Sequence, residues 1–117
     1  MSAPDSLLRR WLGRKVAVVI DRPLGSAHPR HPDIVYPVNY GYIPNTRAGD
    51  LEPIDAYILG VDVPVPSFLG LAIAIVVRRD DVEDKLVVAP PGSWFTVDAI
   101  REAVRFQEQF FESEIVT

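Results

Sequence analysis

Tyr36-Pro37-Val38-Asn39-Tyr40-Gly41-Tyr42-Ile43-Pro44-Asn45-Thr46 is a short β-rich segment fenced by prolines, and the carboxylates Asp50, Glu52 and Asp55 follow it at once. Those three acids fall within six positions, punctuated by Pro53 and bordered by the apolar run 54–59, so negative charge gathers where a strand is about to begin. Such crowding is unfavourable unless a cation sits among the carboxylates or one of them keeps its proton. With no cysteine in the chain, an oxygen-only ligand set favours a hard ion, Mg2+ or Mn2+, over zinc. The plain alternative is an acidic hairpin loop facing water.

Working outward from this segment, strands are expected at 15–20, 40–43, 54–59, 69–77 and 85–89. Residues 78–84, Arg78-Arg79-Asp80-Asp81-Val82-Glu83-Asp84, read as a charged hairpin turn, and Pro64 and Pro66 keep 61–67 out of a central strand. Between 23 and 37 the chain carries four prolines, one glycine and two histidines, a long loop of the kind that is often functional. Residues 5–12 suit a short helix with Leu7, Leu8 and Trp11 on one face.

The last third changes period. Thr96 is a suitable N-cap, Asp98 complements the helix dipole, and Val97, Ile100, Val104, Phe110 and Phe111 mark an amphipathic helix to about residue 114. Phe106 falls off that stripe and is a candidate contact for a second subunit. The expected class is therefore α+β or mainly β, a small barrel or curled sheet flanked by a C-terminal amphipathic helix.

A length of 117 residues with 48% hydrophobic content fits one domain, 1–117. No run is long enough to cross a bilayer, and the arginine-bearing N-terminus lacks a signal-peptide core, so no membrane association and a cytoplasmic location are expected. The absence of cysteine excludes disulfides, thiolate metal sites and a cysteine nucleophile. A net charge of -4 without a basic stripe argues against nucleic-acid binding. It leaves room for a phosphorylated substrate if divalent cations supply positive charge locally.

The segment 36–46 followed by Asp50-Leu51-Glu52-Pro53-Ile54-Asp55 resembles the signature of soluble family I inorganic pyrophosphatases, where Tyr-Pro-x-Asn-Tyr-Gly leads into Asp-x-Asp-Pro-x-Asp. Glu83-Asp84-Lys85-Leu86-Val87-Val88-Ala89-Pro90 is similar to that family's Asp-x-Lys-Leu segment. The resemblance implies a five-stranded OB-like barrel whose rim gathers carboxylates and Mg2+ ions around a hydroxide that attacks pyrophosphate. Carried over, it makes Asp50, Asp55, Asp80 or Asp81, and Glu83 metal ligands, Glu52 the base or a ligand, and Lys85 and Tyr40 phosphate contacts. It also implies a homo-oligomer. Departures are equally plain: Glu52 and Glu83 stand where the family has aspartates, and the usual Lys-Tyr-Glu and terminal Tyr-Lys segments have no counterpart.

Hydrolysing a phosphoanhydride needs a nucleophile at neutral pH, neutralised phosphate oxygens and a stabilised leaving group, all of which divalent ions supply. Lys85 is one of two lysines in a chain that otherwise uses arginine, and a compact ammonium at a strand start suits a phosphate oxygen. Its plain alternative is a surface ion pair with Glu83 or Asp84. Arg22 and Arg30 are candidates for the missing phosphate contacts, since guanidinium binds phosphate with two parallel hydrogen bonds. His28 and His31 suit a shared metal or phosphate, or idle exposure. Arg78 and Arg79 read as flanks of the acidic turn. The leading expectation is Mg2+-dependent hydrolysis of inorganic pyrophosphate, and the alternatives are another small phosphate ester or anhydride, a non-catalytic binding relative, or a structural subunit.

Overall fold

Residues 15–20 alternate inward and outward, with Val16, Val18 and Ile20 buried and their neighbours turned out, the signature of a strand with one face on a core. The computed structural model, which describes residues 6–47, 51–81 and 83–117, makes this the first of six strands. They are β1 (Lys15–Arg22), β2 (Asn39–Ile43), β3 (Ile54–Ile58), β4 (Ser67–Arg78), β5 (Lys85–Ala89) and β6 (Ser113–Val116), with a helix α1 (Val97–Glu108) before the last.

The sheet order is β1-β2-β3-β5-β4-β6, and a further β1–β4 pairing, Lys15 opposite Leu71 through Val19 opposite Ser67, closes five strands into a ring. The β3–β5 contact is parallel and every other pair antiparallel. Strand β4 spans twelve residues and serves two neighbours: its first half seals the ring against β1, and its second half receives β6. Closure pairs the first half of β4, and β6 covers the edge that the second half leaves outside the ring. The expected five-stranded OB-like barrel with a C-terminal helix is thus the fold, with β6 added outside the ring.

Strand parity sorts the side chains into two cores. Val16, Val18, Ile20, Ile43, Ile54, Ala56, Ile58, Ile75, Leu86 and Val88 fill the barrel. The opposite parity of β2 to β5 gives Tyr40, Tyr57, Ala74, Val76 and Val87, which pack with Ile100 and Val104 of α1. Asp55, Lys85 and Arg78 share that outer parity, so the alternation that fills the barrel also delivers charged side chains to its helix-covered face.

Three expectations are corrected. Instead of running to 114, α1 ends at Glu108, and the chain turns through 109–112 into β6, because the unpaired edge of β4 from Ile75 to Arg78 takes Ser113–Val116 as a partner. Phe110 and Phe111 therefore lie beyond the helix, while Phe106 packs edge-on against Tyr36 at 5.1 Å and Tyr57 at 5.9 Å inside the chain. The expected helix at 5–12 is a single 3-10 turn, Arg9–Trp11, stopped by Gly13 at φ 81, whose N–H bonds the Ala72 carbonyl at 2.8 Å.

The helix start is as read. Thr96 caps α1 by accepting from the Ala99 N–H at 3.0 Å, with Asp98 in the first turn. The proline-rich 23–37 segment folds as a small hairpin lobe, with Ala27 bridging Val35 and the backbone of Ser26 and Tyr36 hydrogen bonded. Buried Asn39 fixes that lobe to the 61–66 crossing: its Oδ1 accepts from Leu24 N at 3.0 Å and Val65 N at 3.3 Å, and its Nδ2 donates to the Val63 carbonyl at 2.9 Å.

Candidate active site

Lys85 sits at the first position of β5 and is 2% exposed. Its ammonium donates to Tyr40 Oη at 2.7 Å, Glu83 Oε1 at 2.8 Å and Asp55 Oδ2 at 3.0 Å, which engages all three of its protons. The geometry follows from pairing. Tyr40 lies opposite Tyr57, which puts Asp55 diagonally across the antiparallel β2–β3 pair, and the parallel β3–β5 register brings Lys85 alongside. Tyr40 in turn donates to Asp55 Oδ2 at 2.9 Å.

Burial pushes the Asp55 carboxyl up, but hydrogen bonding from Glu83, the Lys85 ammonium and the Tyr40 hydroxyl outweigh it and leave Asp55 below its usual value. Glu83 moves the other way: burial and its contact with Asp55 hold it above its usual value against the pull of Lys85. Within the pair Asp55 is the stronger acid and Glu83 the weaker. Burial, followed by the Asp55 charge, holds the Tyr40 phenol well above its usual value, so it is a donor.

A second polar system runs beneath the helix. Arg22 Nη1 donates to Tyr36 Oη at 2.6 Å, Tyr36 Oη donates to Gln107 Oε1 at 2.9 Å, Gln107 Nε2 donates to Tyr57 Oη at 2.8 Å, and Tyr57 Oη donates to Glu108 Oε2 at 2.6 Å. Glu108 then accepts twice from Arg78. Each hydroxyl both accepts and donates, and the relay ends on a guanidinium at either side. Arg78 also lies 3.5 Å from Asp81 and 3.8 Å from Glu83, with its Cζ 3.7 Å from the centre of the Phe111 ring.

Over these groups opens a cleft of ≈ 560 Å³, whose lining includes Arg22, Asp55, Glu83 and Lys85 together with Ile34, Phe110 and Phe111. Of the residues singled out from the sequence, Tyr40, Asp55, Glu83, Lys85, Arg22 and Arg30 all line it, as do His28 and His31. The two histidine rings lie 5.1 Å apart, and partial burial followed by the nearby Arg22 holds His28 below its usual value.

Other candidates go elsewhere. Asp80 is exposed and accepts from the Glu112 N–H at 3.2 Å, and Asp81 faces Arg78. Glu52 is exposed and outside the cleft lining, and Asp50 lies outside the described residues. Among the described residues no three acidic or histidine side chains gather as a metal-holding group. Lys85 pairs with Glu83 but deep in the wall, while Asp84 accepts from Ser6 Oγ at 2.6 Å and the Arg78 N–H at 3.1 Å.

Glu108, Gln107 and Tyr57 carry no expectation from the sequence, and Arg78, read there as a turn flank, is a buried anchor. One signal was available: Glu108 continues the Ile100, Val104 stripe at i+4, and a charged residue on the buried face of a helix requires a buried partner.

A family model described as inorganic pyrophosphatase matches residues 16–112. The chain belongs to the inorganic pyrophosphatase family. Inorganic pyrophosphatase from Campylobacter jejuni is 32% identical over 79 residues, 63% of this chain and 42% of the relative. That from Haloferax volcanii is 35% identical over 77 residues, 62% of this chain and 40% of the relative. The chain thus spans well under half the length of these pyrophosphatases. The crystal structure of inorganic pyrophosphatase from Ehrlichia chaffeensis shares the fold at a TM-score of 0.67 and 19% identity, over 88% of this chain and 85% of that one. The one from Neisseria gonorrhoeae gives 0.63 and 21%, over 80% and 72%. Among the described residues no helix is long and apolar enough to cross a membrane.

Proposed function

We propose that this chain hydrolyses a phosphoanhydride with the help of Mg2+ or Mn2+, with inorganic pyrophosphate as the leading substrate. The observation that carries the reading is the Lys85 ammonium, held in the cleft wall by Tyr40, Asp55 and Glu83. Arg22 is the first candidate to bind phosphate oxygens, and Arg30, also in the lining, the second.

Asp55 and Glu83 supply two converging carboxyls, which fits a Mg2+ ion because that ion takes one or two protein carboxylates and completes its shell with water and substrate phosphate. These two residues would hold it, with Asp50 a further candidate from sequence. A bound divalent ion supplies charge neutralisation and an acidified water. The chain's own part is to favour the ionised form of Asp55 through Lys85 and Tyr40, and to set the weaker acid Glu83 beside it. Asp55, which lines the cleft, then takes the place of exposed Glu52 as candidate base. A cytoplasmic setting and a homo-oligomer belong to the same reading. Light scattering checks the assembly.

The test is phosphate release by pure protein from pyrophosphate with and without Mg2+. Release that needs the ion and falls by about 10²-fold or more in Asp55→Ala supports the reading. No release from pyrophosphate, nucleotides or sugar phosphates overturns it. One observation favours a non-catalytic second reading: Lys85 and Arg78 already neutralise the site's carboxylates internally. In that case calorimetry detects binding of a phosphorylated ligand that survives unconverted.

A further inference from the structure

The cleft offers more than an inorganic anion can use. Its ≈ 560 Å³, open to solvent on one side, lies in the range of sites that take drug-sized organic ligands. Its wall is also divided in chemistry. Arg22, Lys85 and Tyr40 suit phosphate, whereas Ile34, Phe110 and Phe111 offer nothing to it.

The two kinds of wall are adjacent. Lys85 holds Glu83 at 2.8 Å, Glu83 lies 3.8 Å from Arg78, and the Arg78 guanidinium lies 3.7 Å from the centre of the Phe111 ring. That ring is held in place, because Arg78 is buried and fixed by Glu108. Its neighbour Phe110 is 64% exposed, whereas Phe106, one turn earlier, is committed to Tyr36 and Tyr57. A large aromatic side chain left open beside a cationic pocket is placed to stack on a planar group whose phosphate tail is held next door.

We propose that the cleft also accepts a phosphoanhydride bearing a planar heteroaromatic group, of the nucleoside diphosphate class, with its phosphates at Arg22 and Lys85 and its ring against Phe110. The hydrolytic step rests on the function proposed above. In it, water adds to the terminal phosphorus, the bond from that phosphorus to the bridging oxygen breaks, and nucleoside monophosphate, inorganic phosphate and one proton leave. No electron is transferred, and no co-reactant besides water is consumed.

The experiment pairs calorimetry with phosphate release. Binding of α,β-methylene-ADP, which cannot be cleaved, is compared with that of methylenediphosphonate, the same phosphonate without the nucleoside, in wild type, Phe110→Ala and Phe110→Trp. The expected result is tighter binding of the nucleotide analogue, weakened about tenfold in Phe110→Ala and retained in Phe110→Trp. In parallel, ADP and pyrophosphate are compared as substrates, and the ratio of their kcat/KM values should shift against ADP in Phe110→Ala. If the nucleoside adds no affinity, or its contribution survives Phe110→Ala intact, the inference is overturned even where pyrophosphate is hydrolysed. If the analogue binds through Phe110 and nothing is hydrolysed, the ligand class stands and the hydrolytic reading falls.

Discussion

Glu108 meets Arg78 with both carboxylate oxygens, Oε1 accepting from Nε at 3.0 Å and Oε2 from Nη2 at 2.8 Å, and so ties the last turn of α1 to the end of β4. Both side chains are buried, at 5% and 4% exposure, so neither has water to fall back on. Removing one partner of such a pair costs about 3–5 kcal/mol, because the other charge is stranded. Glu108→Gln should therefore lower the urea midpoint strongly. The double change Arg78→Met with Glu108→Leu should recover a large share of the loss.

The same residue sets an acid limit. Burial raises the Glu108 carboxyl, but hydrogen bonds from Arg78, Ser113 and Tyr57 outweigh it, and the folded value lies below the ordinary 4.5. Its contribution is complete above that ordinary value and is lost as pH falls through the folded one. Asp55 acts in the same direction, while Glu83, whose folded value is raised, contributes at low pH and loses that contribution as pH rises through the folded value. Urea midpoints from pH 7 down to pH 3 should fall steeply below about pH 4.5 in wild type. The slope should be visibly flatter in Glu108→Gln.

Lys85→Met strands Asp55 and Glu83 side by side. Their side chains are 25% and 29% exposed, so the loss belongs near the lower end of the buried-pair range, about 3 kcal/mol. Because protonating the two carboxyls relieves the variant, its deficit against wild type should shrink on going from pH 7 to pH 4.5. A deficit that stays constant across that interval would contradict the pairing. Phosphate release, where wild type shows it, should be lost.

Tyr36→Phe removes the hydroxyl that joins Arg22 to Gln107. The expected cost is about 1 kcal/mol for the lost hydrogen bonds. Arg22 keeps its charge but loses its fixed direction, so affinity for a phosphorylated ligand should fall more than thermal stability does. Calorimetry alongside thermal melting separates the two.

Gly41→Ala probes barrel closure. A Cβ there would fall on the Val19 carbonyl of the neighbouring strand, an atom that cannot swing aside. The strands must separate, and the loss should exceed about 2 kcal/mol, or prevent folding altogether. Gly25→Ala, at φ 88 on an open turn, gives a milder reference whose cost is backbone strain without a clash.

The barrel was legible because strand periodicity is local: 15–20, 54–59 and 85–89 show their apolar content within a few residues. The C-terminal turn was not, because Phe110 and Phe111 extend the apolar stripe of α1, and only the vacant edge of β4 makes the chain leave the helix. Within the site, Lys85 stood out by its rarity and Asp55 by its motif. Arg78 resembled the charged turn beside it, since nothing nearby in sequence announces Glu108 thirty positions away. Tertiary partners of buried charges are written in the fold, and the clue lay on the partner's side, in a glutamate on an apolar helix face.

The relay from Arg22 to Arg78 has an evolutionary consequence. The atoms that would grip a ligand at one end are those that fasten the helix at the other, through Tyr36, Gln107, Tyr57 and Glu108. Drift at any of the four is felt as both a looser scaffold and a weaker grip. Under the proposed function, robustness and ligand preference would therefore change together.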